Sequence, residues 1–350
     1  MPLLTTTIGA YPKPEYVSLP DRSRQGNAMA SGLTRGDEGL LSPPSGERQE
    51  LLDRATREVV REQVGLGIDI PTDGEIRREH YIYYHCRHLQ GIDFSTLTHK
   101  IMRSGTWKAA VPTIVGPIQA MNRFLEEDWR VAQSATNRPV KITVPGPLTI
   151  ADSVADGYYG NKQTLGRALA EALNSEIRAL ADAGCRWIQV DEPVFVREPE
   201  RALSYGIENL ERCFHGVPEG VKRIVHLCCG YPDRVDNDDY PKADPTVYPR
   251  LATPLDEAHI DALSIEDAYR HNHLTLLERF KKSTVILGVI AIARSQVESV
   301  EEISRRIQEA LGHIDPTRLM LAPDCGLGML NRETVREKVE SMVKAARLVT

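Results

Sequence analysis

Eight short apolar segments recur along the chain, and longer amphipathic stretches lie between them. Short apolar runs bounded by polar or glycine-bearing turns are typical of buried strands. Helical spacing follows in Glu47–Val64, Leu165–Ala183 and Val300–Leu311. This alternation predicts an α/β protein, a parallel (β/α)8 TIM barrel made of a single domain, residues 1–350. The eight predicted strands are Thr5–Gly9, Ile68–Thr72, Val140–Val144, Trp187–Val190, Arg223–Leu227, Ala262–Ile265, Val285–Ile290 and Leu319–Ala322.

Functional-looking segments follow each predicted strand. In a parallel barrel the carboxyl ends of the strands open on one mouth, so residues far apart in sequence become neighbours there. The mouth is therefore where we expect the functional site. The segments are Gly9–Pro12, Asp73–Glu75, Pro145–Pro147, Asp191–Pro193, His226–Cys228, Glu266–Asp267, Ala291–Arg294 and Asp324–Gly326.

One of these segments predicts a metal site. His226 and Cys228 are two positions apart, so in an extended strand both side chains point to the same face, while Cys229 points to the other. With Cys325 arriving from another strand, imidazole and thiolate groups can bind one Zn²⁺. A cysteine pair after an aliphatic run is also typical of core packing, and a two-residue spacing is a weak motif by itself.

The composition of the chain argues against some classes of binding partner. The net charge is -6 and the sequence pI is about 6.0, which leaves no broad basic surface for nucleic acid or for an anionic membrane. Six unevenly spaced cysteines in 350 residues do not form a disulfide framework. The first residues lack a basic segment followed by a long apolar run. We therefore expect a cytoplasmic protein with free thiols that acts on a small molecule.

Two long intervals interrupt the alternation. Residues Ser18–Gly46 are rich in Gly, Ser, Pro and charge, and they predict a loop that covers the mouth. Residues Arg77–Arg138 contain several Tyr and Trp residues and predict a hairpin with a helical excursion. This second interval is expected to form a wall of the pocket.

The motifs, taken together and in order, resemble the C-terminal catalytic barrel of cobalamin-independent methionine synthase, within the uroporphyrinogen decarboxylase-like superfamily. The resemblance covers nearly the whole chain, which makes it far more specific than any single motif. It implies a catalytic Zn²⁺ bound by His226, Cys228 and Cys325. The segments that carry it are Thr5–Gly9, Asp73–Glu75, Pro145–Ile150, Ile188–Pro193, His226–Cys228 and Pro323–Leu327.

The resemblance also implies roles for three acidic residues. Glu266, at the end of the next strand, would be the fourth zinc ligand, although a glutamate there is also typical of a helix N-terminus. Glu75 and Asp191 would hold the amino group of homocysteine and act as the catalytic carboxylates. Tyr11, after the first strand, is assigned with them to substrate binding.

Thiolate chemistry follows from such a site. A thiol bound to zinc is held as the thiolate, the nucleophilic form, and two thiolate ligands lower the Lewis acidity of the metal. We therefore expect methyl transfer to a small-molecule thiol, most simply homocysteine giving methionine, and not hydrolysis.

Two departures from the family pattern concern the methyl donor. Methylfolate-using members carry a proton-donating histidine after the seventh strand, where this chain has Ala291–Ser295, and a pterin-stacking tryptophan where it has Ser153. A poor leaving group needs that proton. The departures therefore predict a non-folate donor, such as methylcobalamin or a methylated corrinoid protein.

Two other functions share the zinc thiolate site. Epoxyalkane:coenzyme M transferases belong to the same superfamily, and Tyr11, Tyr81 or Arg294 could stabilise the alkoxide that epoxide opening creates. The carboxylates of Glu75 and Asp191 argue against a sulfonate substrate. A zinc- or thiol-binding protein without turnover is the third alternative.

Overall fold

A curled sheet of seven parallel strands forms the centre of the fold. The structure is a computed structural model and describes residues 2–19, 46–102, 107–237, 240 and 242–349. Neighbouring strands in this sheet follow the order β1-β10-β9-β8-β7-β6-β4. The strands are β1 (Leu4–Thr5), β4 (Lys141–Pro145), β6 (Trp187–Asp191), β7 (Lys222–Leu227), β8 (Ala262–Ile265), β9 (Thr284–Ile290) and β10 (Leu319–Pro323).

The second predicted strand is not a regular strand. Segment 68–72 instead makes single parallel bridges to both edges of the sheet, Thr6 to Ile70 and Thr72 to Lys141. Pro71 lies between the two bridges and has no N–H group, so a continuous ladder cannot pass through it. The first predicted strand is also shorter than expected. The sheet thus curls until both of its edges reach the same segment, and the architecture is an α/β fold of the TIM-barrel type.

Helices connect the strands and cover the outer face of the sheet. The three helices predicted from sequence are confirmed, with ends that agree within three residues. Ser299 and Glu302 form a reciprocal capping box at the start of the tenth helix. The helices are α1 (Glu47–Gly65), α2 (Tyr81–Cys86), α3 (Leu125–Gln133), α4 (Pro147–Ser153), α5 (Lys162–Ala183), α6 (Val194–Arg197), α7 (Pro199–Arg201), α8 (Ile207–Cys213), α9 (Tyr248–Glu257), α10 (Val300–Leu311) and α11 (Arg332–Leu348).

The predicted hairpin is confirmed. Strands β2 (Leu89–Met102) and β3 (Trp107–Ala120) pair antiparallel, and the short strand β5 (Ala155–Asp156) adds to β3 in parallel. Helices α2 and α3 flank the hairpin and form the predicted helical excursion. The predicted covering loop, Ser18–Gly46, falls almost entirely on residues 20–45, which lie outside the described residues.

Each face of the sheet packs against a different apolar cluster. Val225, Leu263 and Leu321 belong to the large cluster beneath the helices. Ile224 and Met320, on the alternate positions, belong to a small cluster inside the curl. Because strand side chains alternate, residues two positions further along from the inner cluster also face the inside of the curl. Within the described residues, no helix combines the length and apolarity needed to cross a membrane.

Candidate active site

Three potential metal ligands meet at the carboxyl ends of β7 and β10. One ligand atom each from His226, Cys228 and Cys325 lies within 4.8 Å of the other two. The two sulfur atoms are 4.0 Å apart. In a tetrahedral zinc site with Zn–S bonds of about 2.3 Å, two sulfurs are separated by roughly 3.8 Å. The arrangement predicted from sequence for these three residues is therefore present.

Strand geometry explains how the three side chains converge. Ile224 of the inner cluster, His226 and Cys228 follow one another at two-residue intervals, so all three face the inside of the curl. Cys325 follows the end of β10, and its neighbour Asp324 fixes the turn after β8. The buried Asp324 carboxylate accepts hydrogen bonds from three consecutive backbone N–H groups, those of residues 267–269, at 2.8–2.9 Å.

The His226 ring is oriented for coordination. Its Nδ1 atom lies 3.0 Å from the hydroxyl of Ser264, which is its register partner on β8. Its buried Nε2 atom has no hydrogen-bond partner among the described residues. A metal-bound histidine usually has its second ring nitrogen held in this way by a hydrogen bond. The imidazole and two sulfurs therefore fit a soft divalent cation such as Zn²⁺.

The sulfur atoms of Cys228 and Cys325 interact directly, 4.0 Å apart. Cys325 donates a hydrogen bond to Cys228, which, together with His226, holds the pKa of the Cys228 thiol well below its usual value. The same interaction raises the pKa of Cys325. Burial disfavours the charged His226 ring, but the Cys228 thiolate outweighs it and raises the pKa of His226. Metal binding would require both thiols to be deprotonated and would release protons.

Glu266, the predicted fourth ligand, is not part of this group. Its Oε1 atom lies 2.7 Å from the ammonium of Lys242, and its Oε2 atom accepts the backbone N–H of Cys229 at 2.9 Å. Both side chains of the ion pair are almost fully buried. Cys229 points away from the ligands, as expected, with its sulfur 3.7 Å from the hydroxyl of Tyr248.

Glu75 is one of two predicted substrate carboxylates. It is buried, and it accepts hydrogen bonds from Thr143 at 2.7 Å and from Arg78 at 3.2 Å. Its backbone is left-handed, with φ of 54°, which is uncommon for a non-glycine residue. A Cβ atom on Gly9 would lie only 2.6 Å from the Glu75 carboxylate, so glycine is needed there.

Asp191 lies beside the metal ligands. It is the register partner of His226, and its carboxylate accepts the amide of Gln189 at 2.7 Å. The carbonyl of Gln189 in turn accepts the buried ammonium of Lys141 at 2.6 Å. Burial, together with the neighbouring charge of Glu75, raises the pKa of Asp191 to about 7. Burial also raises the pKa of Glu75.

Two tyrosines occupy different positions. Tyr11, predicted to bind substrate, donates its hydroxyl to Glu62 of α1 at 3.0 Å, on the side of α11. Its role in substrate binding stays a prediction. Burial and the charges of Asp191, Cys228 and Cys325 together raise the pKa of Tyr81 in α2 well above its usual value. That this interval forms a wall of the pocket stays a prediction.

The structure describes both positions at which the sequence departs from the family pattern, Ser153 and the segment Ala291–Ser295. Ser153 is buried and donates its hydroxyl to the Thr149 carbonyl, four residues earlier in α4. Ala291 and Ala293 are also buried. The guanidinium of Arg294 lies 4.8 Å from the ring centre of Tyr269.

Sequence reasoning assigned no supporting role to the residues that hold the site in place. These are Lys242, Arg78, Ser264 and Asp324, each of which contacts a site residue or a backbone turn beside one. Ser264 had a usable signal, because parallel strands place it at the level of His226. Lys242 had none, since it lies in an irregular loop.

Comparison with known proteins identifies the family. The family described as "Cobalamin-independent synthase, Catalytic domain" matches residues 3–207 and 241–348. The chain belongs to the cobalamin-independent synthase family. It is 29% identical to methionine synthase of Saccharolobus solfataricus and 30% identical to that of Saccharolobus islandicus, over 100% of this chain and 96% of each relative.

Solved structures agree with the family. A B12-independent methionine synthase from Shewanella sp. W3-18-1, solved in complex with selenomethionine, has a TM-score of 0.83 and 29% identity, covering 100% of this chain and 98% of that one. A protein from Listeria monocytogenes described as a putative vitamin-B12 independent methionine synthase shares the fold, with a TM-score of 0.73 and 20% identity. The resemblance stated from sequence is confirmed.

The family assignment corrects one expectation. A corrinoid methyl donor is not supported, because the matched family is described as independent of cobalamin and the Shewanella relative as independent of B12. The expectation depended on one missing histidine and one missing tryptophan. A missing side chain at one position does not exclude a group of the same chemistry that reaches the site from another element. The epoxide alternative is not favoured either, because the full-length relatives are described as methionine synthases.

Proposed function

We propose that this protein is a zinc-dependent methyltransferase of the B12-independent methionine synthase type, which methylates homocysteine to give methionine. The observation that carries the proposal is the convergence of His226, Cys228 and Cys325 beside the buried carboxylate of Asp191. Full-length similarity to methionine synthases supports it. The Shewanella relative was solved with selenomethionine, an analogue of the proposed product.

The three ligands suit a thiol substrate. A zinc ion bound by them would supply the Lewis acidity that keeps an incoming thiol in its thiolate form at neutral pH. Ser264 holds the His226 ring in position through Nδ1, which leaves Nε2 directed to the cluster. Three protein ligands leave a fourth position for substrate, as catalytic zinc sites require.

The carboxylates suit an amino acid. Glu75 and Asp191 present two acceptors for the ammonium of homocysteine, and burial strengthens this interaction because the local dielectric is low. Arg78 donates a hydrogen bond to Glu75, and Lys141 is linked to Asp191 through Gln189. These two cations compensate the negative charges of the carboxylate pair. A sulfonate thiol such as coenzyme M would be repelled by the same pair.

The transfer itself is a displacement at carbon. A sulfur lone pair forms the new S–CH3 bond, and the bond between the methyl group and the donor breaks with its electron pair on the leaving group. The donor is proposed to be a non-corrinoid compound, and a methylated reduced folate is the class to test first. A proton donor is then needed for the leaving amine.

The proposed architecture for this chemistry is a complete (β/α)8 barrel in one domain, residues 1–350, in which segment 68–72 takes the second strand position. The two bridges made by Ile70 and Thr72 support this closure. A single domain is supported because one family model matches both halves of the chain.

Product analysis tests the proposal. Zinc-loaded protein would be incubated with homocysteine and methyltetrahydrofolate labelled in the methyl group, and labelled methionine would be measured by mass spectrometry. Parallel reactions would contain methylcobalamin, or coenzyme M with epoxypropane. We expect labelled methionine from the folate reaction, and none after zinc is removed. Alkylated coenzyme M without any methionine would contradict the proposal.

A further inference from the structure

A fully buried lysine, Lys141, lies inside the curl of the sheet. Ile142 and Val144 of β4 face the large apolar cluster beneath the helices, so Lys141, on the alternate face of the strand, points inward. Lys141 is 0% exposed, and it makes no ion pair within the described part of the chain. Burial lowers the pKa of its ammonium to about 7. A buried ammonium without a carboxylate partner is costly, so packing alone does not explain a lysine at this position.

The side chain of Gln189 connects this lysine to Asp191. Its Oε1 atom accepts a hydrogen bond from Lys141 at 2.6 Å, and its Nε2 atom donates to Asp191 Oδ1 at 2.7 Å and to the backbone carbonyl of Ile8 at 2.9 Å. An ammonium can only donate, whereas an ionised carboxylate and a backbone carbonyl can only accept. The three contacts therefore permit one orientation of the amide, in which an N–H group faces Asp191.

Glu75, the second proposed substrate carboxylate, is held in a similar way. Its Oε1 atom accepts hydrogen bonds from Thr143 and Arg78. Thr143 is the register partner of Gln189, so the two supporting side chains lie side by side on β4 and β6. In the described contacts, Oδ2 of Asp191 and Oε2 of Glu75 accept no hydrogen bond. Each carboxylate thus has one oxygen held by the protein and one available to a ligand.

The amide between Lys141 and Asp191 has a clear advantage over a direct ion pair. An ammonium in contact with Asp191 would occupy the carboxylate that the substrate ammonium needs, and a buried ion pair is difficult to separate. With Gln189 between them, the charge of Lys141 polarises the amide and strengthens its N–H bond to Asp191. Lys141 therefore supports the carboxylate without blocking it.

We propose that Lys141 and Gln189 are positioning residues that fix Oδ1 of Asp191, so that Oδ2 is directed to the ammonium of an amino-acid thiol. The inference rests on the proposed function and adds the residues that set its preference for an amino group. Lys141 acts through Gln189, and neither side chain contacts the substrate. Their removal should weaken the binding of thiols that carry an amino group and leave other thiols nearly unaffected.

Binding of two thiols provides the test, because it can be read without turnover. Zinc-loaded full-length protein would be titrated by calorimetry with homocysteine and with 4-mercaptobutanoate, which has no amino group. The measured quantity is the preference, the Kd for 4-mercaptobutanoate divided by that for homocysteine. We expect Q189M to lower the preference by about tenfold, because a hydrogen bond to a charged group is lost. We expect K141M to lower it by about fivefold, because the amide remains but is less firmly held.

The double variant shows whether Lys141 acts through Gln189. If it does, K141M/Q189M should have the same preference as Q189M, because removing the amide already removes the effect of the lysine. A further fall of about fivefold in the double variant would mean that Lys141 acts on Asp191 directly by its charge, and it would overturn the proposal. An unchanged preference in Q189M would also overturn it.

Lys338 provides a matched control, since it is also a fully buried lysine. Its ammonium bonds to the backbone carbonyls of Ala291 and Gln296 and to the carboxylate of Glu298. K338M should lower the Tm, because it breaks a buried ion pair, and should leave the thiol preference unchanged.

Thermal unfolding then separates positioning from a purely structural role. K141M should have an unchanged or higher Tm, because it removes a buried charge that has no carboxylate partner. A lower Tm with an unchanged thiol preference in K141M would show that the lysine serves stability alone, and the proposal would be wrong.

This inference and the proposed function can fail separately. If the wild type binds both thiols equally, the carboxylates do not bind an ammonium, and the assignment of homocysteine fails together with the inference. If the wild type prefers homocysteine and forms labelled methionine, while K141M and Q189M keep the same preference, the proposed function stands and only the role of Lys141 and Gln189 is wrong.

Discussion

The metal ligands and the acidic side chains share one end of the sheet but have different electrostatic environments. Cys228 and Cys325 have each other and His226 as partners, without a lysine or arginine ion pair among the described contacts. Glu75 is paired with Arg78, and Glu266 is paired with Lys242. The first group is therefore arranged to receive a cation, whereas each of these glutamates already has one.

This difference shows that side chains at neighbouring strand ends can have different charge partners. Glu266 follows β8 directly and His226 is the next-to-last residue of β7, yet only Glu266 is paired with a lysine. Asp191 is intermediate, because the ammonium of Lys141 is linked to it only through Gln189. In the proposed function both Asp191 and Glu75 contact the substrate ammonium, and Glu75 shares its carboxylate with Arg78. The predictions below separate the metal side of the site from the carboxylate side.

The largest effect is expected from Cys325→Ser, which removes a ligand from the metal side. Zinc affinity should fall by more than about 100-fold, beyond the range of changes outside the coordination shell, and turnover should be lost with it. Metal content by mass spectrometry and chelator competition would measure this. The matched control is Cys229→Ser, which changes a buried cysteine beside Tyr248 and should retain zinc. Equal losses in both variants would contradict the ligand assignment.

Asp191→Asn should weaken the carboxylate side without affecting the metal. A charge-assisted hydrogen bond contributes about 1.5–3 kcal/mol, so kcat/KM for homocysteine should fall by roughly 10- to 100-fold. Turnover of 4-mercaptobutanoate, which lacks only the amino group, should change far less. Zinc affinity should stay within about threefold of the wild type. A large fall in zinc affinity would show that the two sides cannot be separated.

Gly9→Ala tests the placement of Glu75. The added methyl group would lie 2.6 Å from Oε1 and 3.2 Å from Cδ of Glu75, so the carboxylate must move. We expect kcat/KM for homocysteine to fall by about tenfold, because a displaced acceptor loses a hydrogen bond to the ammonium. Gly65→Ala is the control, since no atom lies within 4 Å of its added Cβ. Unchanged kinetics in Gly9→Ala would argue against a substrate contact by Glu75.

The smallest effect is expected from Ser264→Ala on the metal side. Loss of the 3.0 Å contact to Nδ1 leaves the His226 ring less well oriented, and zinc affinity should fall by about tenfold. Ser153→Ala removes a buried hydroxyl that bonds within α4 and should leave zinc affinity unchanged. Competition titration of both variants would measure the difference. No change in Ser264→Ala would mean that packing alone orients the ring.

The strands from β4 onward and the hairpin were predictable from the sequence, whereas the irregular pairing of segment 68–72 was not. From β4 onward the predicted strands agree with the structure, because buried parallel strands are short apolar runs whatever surrounds them. Segment 68–72 has the same apolar character, but Pro71 prevents a continuous ladder. Only the position of the neighbouring strands shows that this segment bridges both edges of the sheet.

The candidate site was likewise predictable in part from the sequence and in part only from the tertiary structure. The sequence alone determined that His226 and Cys228 share a face and that Cys325 follows another strand, since strand periodicity and the order of elements are local properties. The tertiary structure decided which charged or polar partner each group has. It brought Lys242 to Glu266, Arg78 to Glu75 and Ser264 to His226. Pairing between side chains depends on distances across the fold, which a linear pattern of residues does not contain.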